Sequence, residues 1–391
     1  MKGQMELDPR AYWVWLQHAL GAGSSKQNRI LSGYRTLADF YSAGMESWLL
    51  DGYFTRAELE KLESFSLQDA AALVEYSERI EQSVLTPDSE EYPELLRQIH
   101  NPPCALYIKG ELPDFTTVPS ISIVGTRKAT ATGIRTARSF AFELAKQGAV
   151  VVSGGALGID TAAHSGALQA GGKTICILGC GIDYNYLMGN ASLRAAIAAS
   201  GAVVSEYPPH TQPSSSNFPI RNRIISGLSL GTLVVEAAGK SGSLITADFA
   251  LDQGRDVFAV PAGIYSPVSQ GVNNLIKSGA KPVSNAGEIL EEYFGLFPDK
   301  ISLEDNSTNV IVRPAYLEQG ETDSAQQPLR LDEFSRNAVL LYSKLTNSLS
   351  HISELARQTE LPLPSLLTAV TELELAGKIT SHSGRRYSLP R

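Results

Sequence analysis

Ile121-Ser122-Ile123-Val124-Gly125 is an apolar run closed by a glycine, and its sequence neighbourhood decides the fold. A helical stretch, Ala129 to Gln147, leads to a second apolar run, Ala149-Val150-Val151-Val152-Ser153. The alternation continues with a helix from Gly158 to Ala170, a strand at Thr174-Ile175-Cys176-Ile177-Leu178, a helix from Leu193 to Ala199 and a strand at Ala202-Val203-Val204-Ser205. Two more strands, Gly231 to Val235 and Asp256 to Val260, bracket a helix through Ala247 to Leu251. Short strands with no wet face, separated by helices, predict an α/β fold. Right-handed crossovers would build a parallel sheet covered on both faces. Ligands of such sheets bind beyond the carboxyl ends of the strands.

Those ends are rich in glycine and small hydroxyls. The first strand runs into Gly125-Thr126-Arg127-Lys128, and the second into Ser153-Gly154-Gly155-Ala156-Leu157-Gly158-Ile159-Asp160. The third runs into Gly179-Cys180-Gly181. The strand ending at Val235 runs into Glu236 and then Gly239-Lys240-Ser241-Gly242-Ser243. Such loops expose backbone amides before a helix and can cradle a phosphate. After the fourth strand comes Ser216-Asn217-Phe218-Pro219-Ile220-Arg221-Asn222-Arg223-Ile224-Ile225-Ser226-Gly227. A helix starting at Pro219 buries Ile224 and Ile225 and puts Arg221 and Arg223 in its first turn. That end of a helix is already positive, so added cations make sense if an anion binds there. Two solvated surface arginines are the plain alternative. Arg127, Arg221, Arg223 and Lys240 are expected to converge on one edge of the sheet.

Outside this centre the rhythm changes. Residues 1–83 read as a helical domain, in which Gly21-Ala22-Gly23 leads into a short helix. Helix-hairpin-helix units use such a turn to face a DNA phosphate. A helical module for protein contacts is the favoured reading, because the residues beyond that turn are acidic on balance. Residues 84–296 form the central domain, entered through a proline-rich stretch with a candidate strand at Ala105-Leu106-Tyr107-Ile108. Residues 297–330 are polar, with scattered prolines, and read as a linker. Residues 331–391 hold three helices, Asn337 to Leu345, Ile352 to Gln358 and Ser365 to Ala376, then a hairpin around Ser383-Gly384-Arg385. That order is a winged helix. Its third helix carries Glu372 and Glu374, which favours protein contact over entry into a DNA groove.

The 391 residues carry a net charge of −8, which argues against a broad basic face. Glu111 to Glu288 hold 13 Lys and Arg against 11 Asp and Glu, whereas the flanks hold 20 against 30. A nucleic-acid site must therefore be a local cleft. Cys104, Cys176 and Cys180 make neither a disulfide framework nor a metal set, and no His, Cys and carboxylate cluster has metal spacing. No apolar run is long enough to cross a bilayer, and Met1 to Arg10 lack a signal-peptide core. The expectation is a cytoplasmic protein without a membrane, metal or cofactor.

Several motifs fail in informative ways. Gly179-Cys180-Gly181 starts a dinucleotide fingerprint, but Tyr184 stands where its third glycine belongs. Gly172-Lys173-Thr174 looks like the end of a Walker loop, but the spacing is off by one and a strand succeeds it instead of a helix. His164 reads as a satisfied helix residue, and Asp160 as a favourable carboxylate at a helix start.

Taken in order, Val124-Gly125-Thr126-Arg127, Ser153 to His164, Phe218 to Gly227, Val235-Glu236-Ala237, Ser241 to Ala247 and Gly254 to Pro261 carry a resemblance. The chain closely resembles the DNA processing protein A (DprA/Smf) family. Ala262 departs from the family's usual glycine, at a turn. The resemblance implies an extended Rossmann-like domain with an N-terminal sterile-alpha-motif-like domain and a C-terminal winged helix. It implies a homodimer that binds single-stranded DNA and loads a RecA-type recombinase during natural transformation, without catalysis. It places Arg127, Arg221 and Arg223 at the DNA pocket. Their placement at loop ends adds Asn222, Lys240, Ser241, Gly242, Ser243, Gly125, Gly154 and Gly155. Phe218, Tyr207 and Tyr184 are candidates to stack on bases, and a core anchor is the alternative reading of Phe218. The dimer face is expected at the sheet edge and the helices after Asp256. The rival reading is a nucleotide-binding sensor, or a nucleotide hydrolase of the lysine-decarboxylase-like class. In the hydrolase motif a catalytic Glu would fall where this chain has Thr246.

Overall fold

The computed structural model describes residues 7–298, 335–345, 350–359, 361–375, 378–382 and 386–389. They form two compact units, on either side of residues 299–334. The expected linker lies almost wholly outside the described residues, as does the Ser383-Gly384-Arg385 wing tip.

The first unit opens with five helices: α1 (Arg10–Leu20), α2 (Lys26–Gly33), α3 (Leu37–Asp51), α4 (Arg56–Ser64) and α5 (Leu67–Arg79). Three of them start at a residue pair the sequence spells out. Thr36 with Asp39, Thr55 with Glu58 and Ser66 with Asp69 each close a capping box, satisfying amides that a helix start leaves bare. Trp15, Phe40 and Trp48 meet at the centre of this bundle. Their core continues into Val84, Ala105 and Tyr107, so the helices share apolar packing with the adjoining sheet.

That sheet begins with β1 (Ser83–Leu85), α6 (Glu94–Arg97) and β2 (Leu106–Gly110). Then come β3 (Ser120–Val124), α7 (Ala131–Lys146), β4 (Val150–Gly154), α8 (Ile159–Gln169), β5 (Thr174–Leu178), α9 (Ala191–Ser200) and β6 (Ala202–Ser205). After them come α10 (Asn217–Gly227), β7 (Gly231–Val234), α11 (Gly242–Asp252), β8 (Asp256–Ala259), α12 (Gln270–Lys277), β9 (Lys281–Pro282) and α13 (Gly287–Leu290). The strands form one nine-stranded sheet in the order β1-β2-β6-β5-β4-β3-β7-β8-β9. From β6 to β9 every pairing is parallel, and β1 and β2 extend the β6 edge antiparallel. All five residues of β3, of β4 and of β5 are buried, as the unbroken apolar runs require. The chain builds outward from β3 through β4, β5 and β6, then returns by α10 to place β7 on the other side of β3. That reversal opens a crevice at the carboxyl ends of the central strands.

Helix α10 begins at Asn217, two residues ahead of Pro219. Proline is tolerated in a first turn, where its missing N–H has no intrahelical partner in any case. The earlier start moves Arg221 and Arg223 into the second turn, away from the positive helix end.

The second unit contains α14 (Arg336–Lys344), β10 (Ser350–His351), α15 (Ile352–Thr359), α16 (Leu363–Leu375), β11 (Thr380–His382) and β12 (Arg386–Ser388). Its three-stranded sheet has the order β10-β12-β11. Leu341, Leu355, Leu366 and Leu373 fill its core. Glu372, on α16, reaches back to accept bonds from the Ser335 amide and hydroxyl at 2.7 and 2.6 Å, which fixes the start of α14.

Candidate nucleic-acid interface

A cleft of ≈ 680 Å³ occupies the crevice. Its walls are the loop after β3, the start of α8, the Pro213–Ser215 approach to α10, and the first turn of α11. Of the residues expected there, Gly125, Arg127, Arg221, Asn222, Ser241, Gly242 and Ser243 line it.

Of the four expected cations, Arg127 and Arg221 share the cleft, and Arg223 and Lys240 do not. Arg127 lies over the Phe218 ring at 5.1 Å. Tyr186, from the loop after β5, meets the same ring at 5.5 Å. The three make a flat-faced wall of the kind that stacks on a base. Arg221 sits at the floor, 4% exposed. One of its terminal nitrogens donates to the Ile177 carbonyl, while its Nε has no partner. Burial draws its pKa below the ordinary arginine value. A buried guanidinium with an unmet donor is costly unless something supplies the acceptor.

Arg223 points the other way. Its two terminal nitrogens grip Glu206 at 2.8 and 2.7 Å, with both side chains almost wholly buried. Its Nε donates to the Asn101 carbonyl at 3.1 Å. Each of its three nitrogens has a protein partner, and Arg223 is not among the residues that line the cleft. The helical period is the reason: two residues on a helix are about 200° apart around the axis. Lys240 is exposed and outside the cleft lining.

Two of the expected glycines serve packing. A Cβ at Gly154 would overlap both the Arg221 guanidinium and the Asp160 carboxylate, and one at Gly155 would lie 2.6 Å from Leu178. Gly154 is thus the gap across which Asp160 and Arg221 face each other. Asp160 is buried in the cleft wall, and burial pushes its pKa up to about 6 while Arg221 pulls the other way. It also accepts from the Ala156 amide at 3.3 Å. His164 lies behind, between the Thr174 hydroxyl (2.8 Å) and the Gly154 carbonyl (2.9 Å), and burial lowers its pKa to about 4. It is held as a satisfied core residue.

Glu236, at the end of β7, accepts from the Thr130 amide and hydroxyl at 2.9 and 2.5 Å and so fixes the start of α7. Where a hydrolase would need its glutamate, Thr246 lines the cleft. Among the described residues no group of three or more His, Cys, Asp and Glu could hold a metal, and no helix is long and apolar enough to cross a membrane. Of the stacking candidates, Phe218 lines the cleft, Tyr207 is buried, and Tyr184 is half-buried outside the cleft lining. Tyr186 lines the cleft instead of Tyr184. Both lie in Tyr184-Asn185-Tyr186, and only the turn of that loop distinguishes them. Glu206 had no signal of its own, because its partner lies 17 residues on.

The turn between α1 and α2 faces no solvent phosphate. The Gly23 amide donates to Glu206 at 3.2 Å, so a protein carboxylate occupies the place a DNA phosphate would take in a helix-hairpin-helix unit.

Residues 83–294 match the family model described as DNA recombination-mediator protein A, and residues 325–385 match the DprA winged helix domain. Protein Smf of Synechocystis sp. is 32% identical over 97% of this chain and 98% of its own length. The DNA processing protein DprA of Streptococcus pneumoniae is 41% identical over 67% of this chain and 84% of its own. The X-ray structure of the Streptococcus pneumoniae protein superposes with a TM-score of 0.64 at 33% identity, covering 74% of this chain and 99% of that one. A Helicobacter pylori DNA processing protein A, solved to show its single-stranded DNA binding mode, gives 0.50 at 32% identity over 55% and 97% of the two chains. With its parallel sheet, its helical N-terminus, its winged helix and these matches, the chain belongs to the DNA recombination-mediator protein A (DprA/Smf) family.

Proposed function

We propose that the cleft holds single-stranded DNA without breaking or making a bond in it. One observation carries this reading: a buried arginine with an unmet donor, Arg221, shares the cleft with a wall in which Arg127 lies over Phe218 and Tyr186 meets the same ring. A flexible strand offers phosphates to the guanidinium groups and to the amides at the start of α11, and its unstacked bases fit the aromatic faces. Contacts of that kind position a backbone and carry little sequence information. The single-stranded DNA binding described for the Helicobacter pylori relative supports the assignment. Thr246, in place of a catalytic carboxylate, supports binding over hydrolysis. The family relation supports a wider role: a cytoplasmic homodimer that protects incoming strands in natural transformation and passes them to a RecA-type recombinase. We assign the dimer face to the β9 edge and the helices after Asp256, and read the winged helix as a protein-contact module.

Filter binding of matched single- and double-stranded oligonucleotides tests this. The single strand is expected to bind more tightly, and Arg127→Ala and Arg221→Ala are each expected to weaken it by tenfold or more, roughly the worth of a charged hydrogen bond. Parent-like affinity in both folded variants would refute the site.

A further inference from the structure

Helix α10 is held between two neighbours, and consecutive residues serve opposite sides. Arg221 and Asn222 line the cleft, and the Asn222 side chain donates to the Gly242 carbonyl at 3.2 Å, which ties α10 to the first turn of α11. Arg223 faces the N-terminal helices. There Glu206 takes both its terminal nitrogens and also accepts from the Gly23 amide, while the Gln17 amide side chain donates to the Glu206 carbonyl. Asn101 closes the circuit: its carbonyl accepts from Arg223, and its side chain donates to the Gly23 carbonyl at 2.9 Å. Gly23 has φ +79°, and a Cβ there would lie 2.7 Å from Ile220 of α10. Only glycine lets the turn seat so closely.

We propose that Arg223 is a positioning residue. The turn between α1 and α2 docks on the Glu206–Arg223 pair and so holds α10 in the setting that presents Arg221 and Asn222 to the strand. The proposal rests on the DNA-binding reading of the cleft. A role in stability alone would leave the affinity of folded molecules unchanged. A positioning role must also be reciprocal: if docking of the turn favours DNA, then DNA favours docking by the same factor.

The test uses the full chain and a thymidine 20-mer. In the parent protein, hydrogen exchange at residues 17–24 is expected to slow when the oligonucleotide is added, although these residues lie outside the cleft. Gly23→Ala and Arg223→Met are each expected to weaken binding roughly tenfold, within the usual range of such couplings. Their log–log dependence on salt should keep the parent slope, whereas Arg221→Ala should lose roughly 0.7 of it, the value for one phosphate contact on a single strand. A slope loss of that size in Arg223→Met would make Arg223 a direct contact and overturn the proposal. So would parent-like affinity in the folded variants, or exchange at 17–24 that ignores DNA. If Arg223→Met fails to fold, Gly23→Ala and the parent exchange decide. A parent that binds while the variants are unaffected removes this inference alone. A parent that does not bind removes the reading beneath it as well.

Discussion

The two sides of α10 solve the problem of a buried arginine differently. On the N-terminal side, Arg223 has a carboxylate, a carbonyl and a tight glycine turn packed around it, and each of its three nitrogens has a partner. On the cleft side, Arg221 has one carbonyl, an Nε without a partner, and an aspartate held off across Gly154. The first arrangement is complete in the protein by itself. The second leaves one donor unmet beside the cleft, where the proposed strand would lie. Similar burial therefore does not mean similar surroundings: Arg138 and Arg255 also carry an Nε without a partner, and of the three only Arg221 lines the cleft.

Breaking the complete side should have the larger effect on the fold. Removing one member of a buried ion pair strands the other, at a cost of about 3–5 kcal/mol. Urea unfolding of Glu206→Gln should show a loss of this order. The double variant Glu206→Gln/Arg223→Met should recover part of it, because no charge is then left buried. Equal losses in the single and double variants would mean that the pair is worth no more than its packing.

The cleft side should respond to pH instead. Burial raises the folded pKa of Asp160 to about 6, so the native state binds its proton more readily than the unfolded chain. Stability from this group is therefore fully present at low pH and is lost as pH rises from about 4 to about 6. The shift corresponds to roughly 3 kcal/mol. His164, lowered to about 4, works in the opposite sense and gains stability as pH rises through the same window. In Asp160→Asn only the His164 slope remains at this site, so stability relative to the parent should climb between pH 4 and 6. The charged groups that act on Asp160 are Arg221 and Arg127, and an ionised Asp160 offsets the positive charge that they offer a phosphate. Parent DNA binding should therefore strengthen as pH falls below 6, and the variant should lose that response. A parent and variant with the same pH profile would show that Asp160 does not titrate there.

The aromatic wall sharpens the contrast at smaller scale. Replacing Phe218 by leucine keeps apolar volume but removes the stacking face, and should cost about 1–3 kcal/mol of affinity with the salt slope intact. Lys240→Ala, outside the cleft, should change affinity by less than either. A larger loss for Lys240 than for Phe218 would move the strand's path off the cleft.

The sheet was legible because a strand buried on both faces cannot hide its apolar run, and β3, β4 and β5 lie where those runs predict. The crevice was legible for a related reason, since glycine and serine gather where strands hand over to helices. The start of α10 was not, because Pro219 suits several positions in a first turn and nothing nearby selects one. Arg223 belongs to a further kind. Its residue type suits an anion site, and only its place on the helix, half a turn from Arg221, reveals that it faces elsewhere. Its partner Glu206 comes from the end of β6, and such pairings appear only when the chain is folded.

Photocross-linking tests the central claim most directly. An oligonucleotide carrying 5-iododeoxyuridine, irradiated with the full chain and mapped by peptide, reports which aromatic residues touch bases. Adducts at Tyr186 and Phe218 are the predicted result. Adducts confined to the winged helix or to the helices before residue 80, with the cleft aromatics unmodified, would contradict it.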